Sequence, residues 1–164
     1  MNAGGPVDAA GPGDAAGPVD AAGPGDAAGP GDALGPGDAV RAVDVVGAWT
    51  LVSYLDVDGA GGTTEGPLGP APSGLLLYSP TGHMSVSMGR KDAPPSGDSF
   101  MGYAGRWRLA DGVMVHETDV SSHAHMRGTT QLRDVSLAGD LLTLGGTAQV
   151  GGRPRRRVLT WRRG

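Results

Sequence analysis

Short apolar runs separated by turn signals fill the sequence from residue 43 to its end. Within these runs apolar and polar residues alternate, as is typical of strands with one buried face. The segment HMSVSM, residues 83–88, alternates most clearly, and Asp111-Gly112 is a strong hairpin signal between two runs. Eight strands are therefore predicted, at residues 47–57, 73–79, 83–88, 103–110, 113–120, 128–138, 141–146 and 155–163.

The pattern predicts an all-β fold, because no segment keeps a helical period for more than a turn. Eight short strands joined by turns favour an eight-stranded antiparallel up-and-down barrel over residues 43–164. Closure of the sheet removes exposed strand edges. A barrel of eight strands has an interior that is filled by side chains or holds one small ligand.

The first quarter of the chain has a different texture. From Ala3 the sequence repeats AGPVDA or AGPGDA with a period of six. Such a unit buries too little apolar area to offset an ordering cost of about 1–2 kcal/mol per residue. Residues 1–42 are therefore predicted to be a disordered Gly/Pro/Asp/Ala tail, which serves as a tether, a spacer or a lid, or is a simple-sequence expansion without a role.

Charge and composition exclude several classes of function. The repeat carries six Asp and no basic residue, so the remainder has a net charge of about +2, too low for a nucleic-acid-binding face. The chain has no Cys, which excludes disulfides and thiolate metal sites. It has no apolar run long enough to span a membrane and no signal-peptide pattern, so no membrane partner and a cytoplasmic location are predicted.

Five segments together resemble a known family: GAWTLVSY, GLLLYSPTGHMSVSM, YAGRWRLADGVMVHETDV, GTTQLRDVSLAGDLLTL and RRRVLTWRR. Their order and spacing over residues 45–164 are similar to the bacterial and fungal lipocalin-like domain family. The resemblance implies a calyx-shaped barrel that binds a small molecule. It also implies that Trp49 packs at the closed end of the barrel under an Arg of a late strand, for which Arg157 and Arg133 are the candidates.

Strand alternation predicts which side chains face the interior. If Trp49 points inward, Leu51, Ser53 and Leu55 share its face. Gln131 and Arg133 alternate on another strand and can anchor a carbonyl or carboxylate group. The predicted ligand-binding residues are Trp49, Leu51, Ser53, Met84, Val86, Met88, Tyr103, Trp107, Gln131 and Arg133. The alternative is that these side chains only fill the barrel.

Histidines and one glutamate offer further chemistry. The candidate metal ligands are His116, His123 and His125. His123 and His125 form an HxH pair, which a strand would present on one face, although Ser121-Ser122 before the pair favours a loop. Solvated or hydrogen-bonded imidazoles are the simpler interpretation, so no metal and no cofactor are predicted. Glu117, if buried, would be an acid or base beside His116.

Two functions follow from these features. The first is binding of a small hydrophobic molecule, with a role in secondary metabolism. The alternative is a cofactor-independent cyclase or isomerase that acts on a polyketide-like substrate in the barrel cavity, where a shaped apolar site can accelerate a cyclisation by orientation alone. The sequence identifies neither the ligand nor the oligomeric state.

Overall fold

A computed structural model describes residues 39–92, 100–150 and 152–164. The predicted tail, residues 1–42, lies outside the described residues except for its last four. Residues 93–99, between the strands predicted at 83–88 and 103–110, lie outside them as well. None of the helices in the described part of the chain is long and apolar enough to cross a membrane.

Nine antiparallel strands and two short helical segments make up the described chain. The helix α1 is Ala42–Val45, and a 3₁₀ turn spans Ala124–Met126. The strands are β1 Gly47–Val57, β2 Thr63–Glu65, β3 Pro72–Tyr78, β4 His83–Arg90, β5 Phe100–Ala110, β6 Val113–Ser121, β7 Thr130–Ala138, β8 Leu141–Val150 and β9 Arg153–Arg163.

Eight of these strands close into a barrel. From β3 to β9 each strand pairs with its successor, β3 pairs with β1, and β9 pairs with β1 to complete the ring. The eight-stranded antiparallel barrel predicted from the sequence is thereby confirmed. β2 pairs only with the far end of β1 and stands outside the ring. Its three residues are all exposed, so no apolar alternation marks it in the sequence.

Turn residues at one end of the barrel set the strand register. Asp111 and Gly112 have φ angles of 50° and 78°, the left-handed conformation that a two-residue hairpin between β5 and β6 requires. This end also carries the turns at 79–82 and 139–140. The opposite end carries the longer connections, including the one that contains the 3₁₀ turn.

The end with the short turns is closed by Trp49 and α1. Trp49 is fully buried and donates from Nε1 to the carbonyl oxygen of Val45 at 2.8 Å. An arginine covers its ring, as predicted, but it is Arg163 and neither Arg157 nor Arg133. The guanidinium carbon of Arg163 lies 4.2 Å from the ring centroid, because the β1–β9 register pairs Trp49 with Arg163.

A β-bulge in β1 corrects the predicted inner face of that strand. The pairing with β9 shifts between Leu51 and Ser53, which adds one residue to β1 at this point. Trp49 and Leu51 are buried as predicted, but Tyr54 is the next buried side chain, while Ser53 and Leu55 are only half-buried. The bulge reverses the alternation and brings Tyr54 into the barrel.

On the other strands the predicted inner faces are buried. Met84, Val86 and Met88 of β4 are each at most 4% exposed, and Tyr103 and Trp107 of β5 are also buried. These side chains belong to one continuous core with Trp49 and Leu51. The core extends from Trp49 at one end of the barrel to Met126 in the connection at the other end.

Candidate functional site

A cavity opens in the half of the barrel that lies away from Trp49. Its apolar wall consists of Leu76, Val86, Met88, Leu144, Leu159 and Trp161. Its polar lining consists of Tyr54, Tyr103, His116, Arg133 and Arg157. Met101, Met126, His123 and His125 complete the lining, and the last three lie in the β6–β7 connection.

The cavity is narrow as it stands. The volume open to the centre of a water molecule is about 30 Å³, enough for about one or two waters. Methionine side chains form part of the lining, at Met88, Met101 and Met126. Because Met has three rotatable bonds and a polarizable sulfur, these side chains can repack around a larger molecule.

His116 lies at the bottom of the cavity in a hydrogen bond with Tyr78. The imidazole is 1% exposed, and its Nε2 lies 2.6 Å from the hydroxyl oxygen of Tyr78. Burial, with a smaller contribution from the charge of Arg133, lowers the pKa of His116 to about 3. Burial also raises the pKa of Tyr78 well above its usual range. Both groups are therefore neutral at neutral pH.

The hydrogen bond with Tyr78 engages only one ring nitrogen of His116. Either the Tyr78 hydroxyl donates to Nε2, or a protonated Nε2 donates to the Tyr78 oxygen. In the first arrangement the neutral imidazole carries its proton on Nδ1, and in the second Nδ1 is an acceptor. In both, Nδ1 is buried and has no partner in the described part of the chain. His116 thus presents an unpaired ring nitrogen inside the barrel.

Arg133 enters the cavity from β7 beside Gln131. Its Nη2 donates to Oε1 of Gln131 at 2.5 Å, and Gln131 is 4% exposed. Since Oε1 accepts this bond, the Gln131 amide nitrogen is left as a donor, and it too is buried without a partner among the described residues. Gln131 pairs with His116 across β6 and β7, so the two unpaired nitrogens lie on neighbouring strands.

Gly146 of β8 makes room for the Arg133 side chain. A Cβ at position 146 would collide with the guanidinium of Arg133. Gly145 faces the other way, where its hydrogen lies against Arg156 on the outer surface. Because these two residues have no side chain, Arg133 can lie across Gly146 on the inner face of the sheet and Arg156 across Gly145 on the outer face.

The charge of the second arginine in the cavity lining, Arg157, is balanced by the carboxylate of Asp56. Arg157 is 4% exposed, and its Nε lies 3.2 Å from Oδ1 of Asp56. Its guanidinium carbon is 5.8 Å from the ring centroid of Tyr54. Arg157 thus ties β9 to β1 near the cavity, and its charge is balanced by a neighbouring carboxylate.

The predicted HxH pair lies in the β6–β7 connection and not on a strand face. His123 precedes the 3₁₀ turn and His125 lies within it, with ring centroids 5.7 Å apart. Both line the cavity with His116. Within residues 39–92, 100–150 and 152–164, no group of three or more His, Asp or Glu side chains is arranged to hold a metal ion.

Glu117 does not meet the condition for acid–base chemistry. Its side chain is 47% exposed, and its Oε1 lies 3.7 Å from Nε of Arg108 on the outside of the barrel. Neighbouring residues of a strand face opposite sides of the sheet. Since His116 points inward, Glu117 must point outward, and the role beside His116 is not available to it.

The structure brings only part of the predicted ligand-binding set to the cavity. Val86, Met88, Tyr103 and Arg133 line it, and Gln131 is buried next to Arg133. Trp49, Leu51, Met84 and Trp107 are buried in the core and do not line the cavity, and Ser53 is half-buried beside the β1 bulge. Ligand contact by any of these residues stays a prediction.

Sequence reasoning missed several lining residues. Arg157, Leu159 and Trp161 share the inner face of β9, and simple period-two alternation would have indicated them. Tyr54 was not predicted to face inward, because the β1 bulge reverses the alternation and no local sequence signal indicates the bulge. Met126 lies in a connection, where alternation has no meaning.

Comparison with known proteins identifies the family of the chain but no individual relative. A family model described as a lipocalin-like domain matches residues 46–164. No curated protein and no solved structure matches the chain. The matched residues include all nine strands and every residue that lines the cavity.

Proposed function

Because the chain belongs to the lipocalin-like domain family, we propose that it binds a small hydrophobic molecule inside the open half of the barrel. One observation carries the proposal. Trp49 is fully buried, yet the barrel interior also has a cavity with a largely apolar wall and buried polar atoms that no described residue satisfies.

The composition of the lining supports a binding site over a merely imperfect core. Ligand sites are concave and mostly apolar, with a few polar groups that fix orientation. Buried polar groups are normally hydrogen-bonded, because leaving one unpaired costs about 1–3 kcal/mol. His116 and Trp161 each leave a nitrogen unpaired in this lining. A bound molecule would satisfy them.

Titration of the full chain with Nile red, a neutral apolar fluorophore, tests the proposal. The expected result is a saturable increase in fluorescence with one site per chain. Met88→Trp should abolish the increase by filling the cavity, whereas Ser87→Trp should leave it unchanged, since Ser87 is exposed on the other face of β4. A signal that is absent, or equally strong in Met88→Trp, would count against binding inside the barrel.

The cyclase or isomerase alternative has less support. Glu117 lies outside the barrel, and a pKa of about 3 makes His116 a weak base at neutral pH. Turnover would then depend on the shape of the cavity, which would hold a polyketide-like substrate close to its cyclised geometry. Mass spectrometry of a candidate substrate after incubation with the protein separates the alternatives, because only turnover yields a product in excess of the protein.

A further inference from the structure

The charges around the cavity do not balance. Its lining contains two arginines, Arg133 and Arg157, and no Asp or Glu. Arg157 is paired with Asp56. No carboxylate of the described residues lies within ion-pair distance of Arg133. One guanidinium charge, on the half-buried Arg133 side chain, therefore lines the cavity without a counter-charge among the described residues, and a ligand that paired with it would form a charge-assisted hydrogen bond.

Two buried groups beside the cavity are unpartnered donors. The indole nitrogen of Trp161, which lines the cavity, can only donate a hydrogen bond. The amide nitrogen of Gln131 is a donor because its oxygen accepts from Arg133. Nδ1 of His116 and the Thr118 hydroxyl are also unpartnered, and each can donate or accept. What these donors lack is a set of acceptor atoms.

We infer that the bound molecule ends in a carboxylate, and that this carboxylate pairs with Arg133 while its apolar part lies along Val86, Met88 and Leu144. The inference rests on the proposed function and adds the chemical class of the ligand. A carboxylate has two oxygens that only accept hydrogen bonds, and its planar shape fits the fork of a guanidinium. It supplies the missing counter-charge and acceptor atoms for the unpartnered indole nitrogen of Trp161 in the same lining.

The backbone near Arg133 fits a role in binding. The side chain lies across Gly146, and a methyl group there would displace the guanidinium. Hydrogen bonding to Gln131 fixes its position further. The anchor is thus held in place before a ligand arrives, which reduces the entropy lost on binding.

Calorimetric titration of the full chain at pH 7 with three probes of equal length tests the inference. Octanoate carries the carboxylate, octanol is neutral, and octylamine is cationic. We expect octanoate to bind about tenfold to a hundredfold more tightly than octanol, the range of a charge-assisted hydrogen bond. Octylamine should bind more weakly than octanol, because Arg133 repels it.

Two pairs of variants locate the effect. Arg133→Met should lower the affinity for octanoate to that for octanol and leave the affinity for octanol within about threefold. Arg156→Met is the matched control, since Arg156 lies on the outer face and pairs with Asp134 at 2.5 Å. Gly146→Ala should weaken octanoate binding by displacing Arg133, while Gly145→Ala should not. Near-ultraviolet circular dichroism verifies that each variant is folded.

The outcomes separate the inference from the proposed function. Equal affinities for octanoate and octanol, or an octanoate affinity unaffected by Arg133→Met, would overturn the carboxylate inference and leave apolar binding intact. If none of the three probes binds, both are overturned. Preference for octylamine would also overturn the inference, because it requires a negative group in the cavity.

Discussion

His116 connects the stability of the barrel to pH. Its pKa is about 3 in the folded protein, because burial and the nearby Arg133 disfavour the imidazolium, against about 6.5 in an unfolded chain. Below pH 6.5 the unfolded state therefore binds a proton that the folded state does not take up until near pH 3. The contribution of His116 to the free energy of unfolding is fully present above about pH 6.5. It decreases by about 1.4 kcal/mol per pH unit as the pH falls toward 3.

Urea denaturation at pH 7 and pH 5 measures this contribution. Between pH 7 and pH 5 the free energy of unfolding of the parent chain should fall by about 2 kcal/mol because of His116. In His116→Gln this part of the fall should be absent. His83→Gln serves as the control, since His83 is exposed and lies outside the core. Equal losses in the parent chain and His116→Gln would show that the imidazole is not held neutral by the fold.

The Arg163 side chain stabilises the closed end through Trp49. It covers the indole ring and donates to the carbonyl oxygens of Val46, at 3.1 Å, and Asp44. A cation–π contact and hydrogen bonds of this kind predict that Arg163→Ala lowers the free energy of unfolding by about 1–3 kcal/mol. Arg162→Ala, next to it on the exposed face, should change it by about 0.5 kcal/mol or less. Urea midpoints distinguish the two; equal values would contradict a bracing role for Arg163.

At the level of the elements, the β5–β6 hairpin has a close backbone approach at Gly105. The pairing of these strands is irregular between Ala104 and Gly105, and a Cβ at Gly105 would collide with the carbonyl oxygen of Glu117. Gly105→Ala should therefore destabilise the protein by about 2 kcal/mol or more, because backbone must move. Gly59→Ala is the matched control, since a Cβ at Gly59 meets nothing within 4 Å. Thermal unfolding that is equal for both variants would rule out the close approach.

The strands were predictable because most of them are regular. β4 has one buried and one exposed face, so the alternation of Met84, Val86 and Met88 is visible in the sequence. The β1 bulge was not predictable, because an extra residue changes the inner face without changing the composition of the strand. β2 was missed because it buries no side chain.

The candidate site was harder to predict than the fold. Arg133 and Gln131 could be identified from their spacing on one strand face. That Arg133 has no counter-charge could not be predicted, because it depends on which arginine Asp56 pairs with. Asp56 pairs with Arg157, a contact between residues 101 positions apart. The pairing of Tyr78 with His116 likewise joins β3 to β6 across the barrel interior.

On the scale of the whole molecule, the two halves of the barrel differ in packing and in polarity. The half around Trp49 contains the core side chains that do not line the cavity, including Tyr78 and Trp107 with ring centroids 4.7 Å apart. The other half contains most of the cavity lining, with Arg133 and its unbalanced charge, and unpartnered polar atoms. This division predicts that ligand binding perturbs one half and leaves the other nearly unchanged.

Methionine methyl groups report on both halves in one spectrum. Met88, Met101 and Met126 line the cavity, whereas Met84 and Met114 are buried outside it. The most direct test is a carbon–proton correlation spectrum of the full chain with labelled methionine methyls, recorded during titration with octanoate. We expect saturable shifts at Met88, Met101 and Met126, with much smaller shifts at Met84 and Met114. Shifts confined to Met84 and Met114, or no saturable shift at any methyl, would contradict a ligand site in the open half of the barrel.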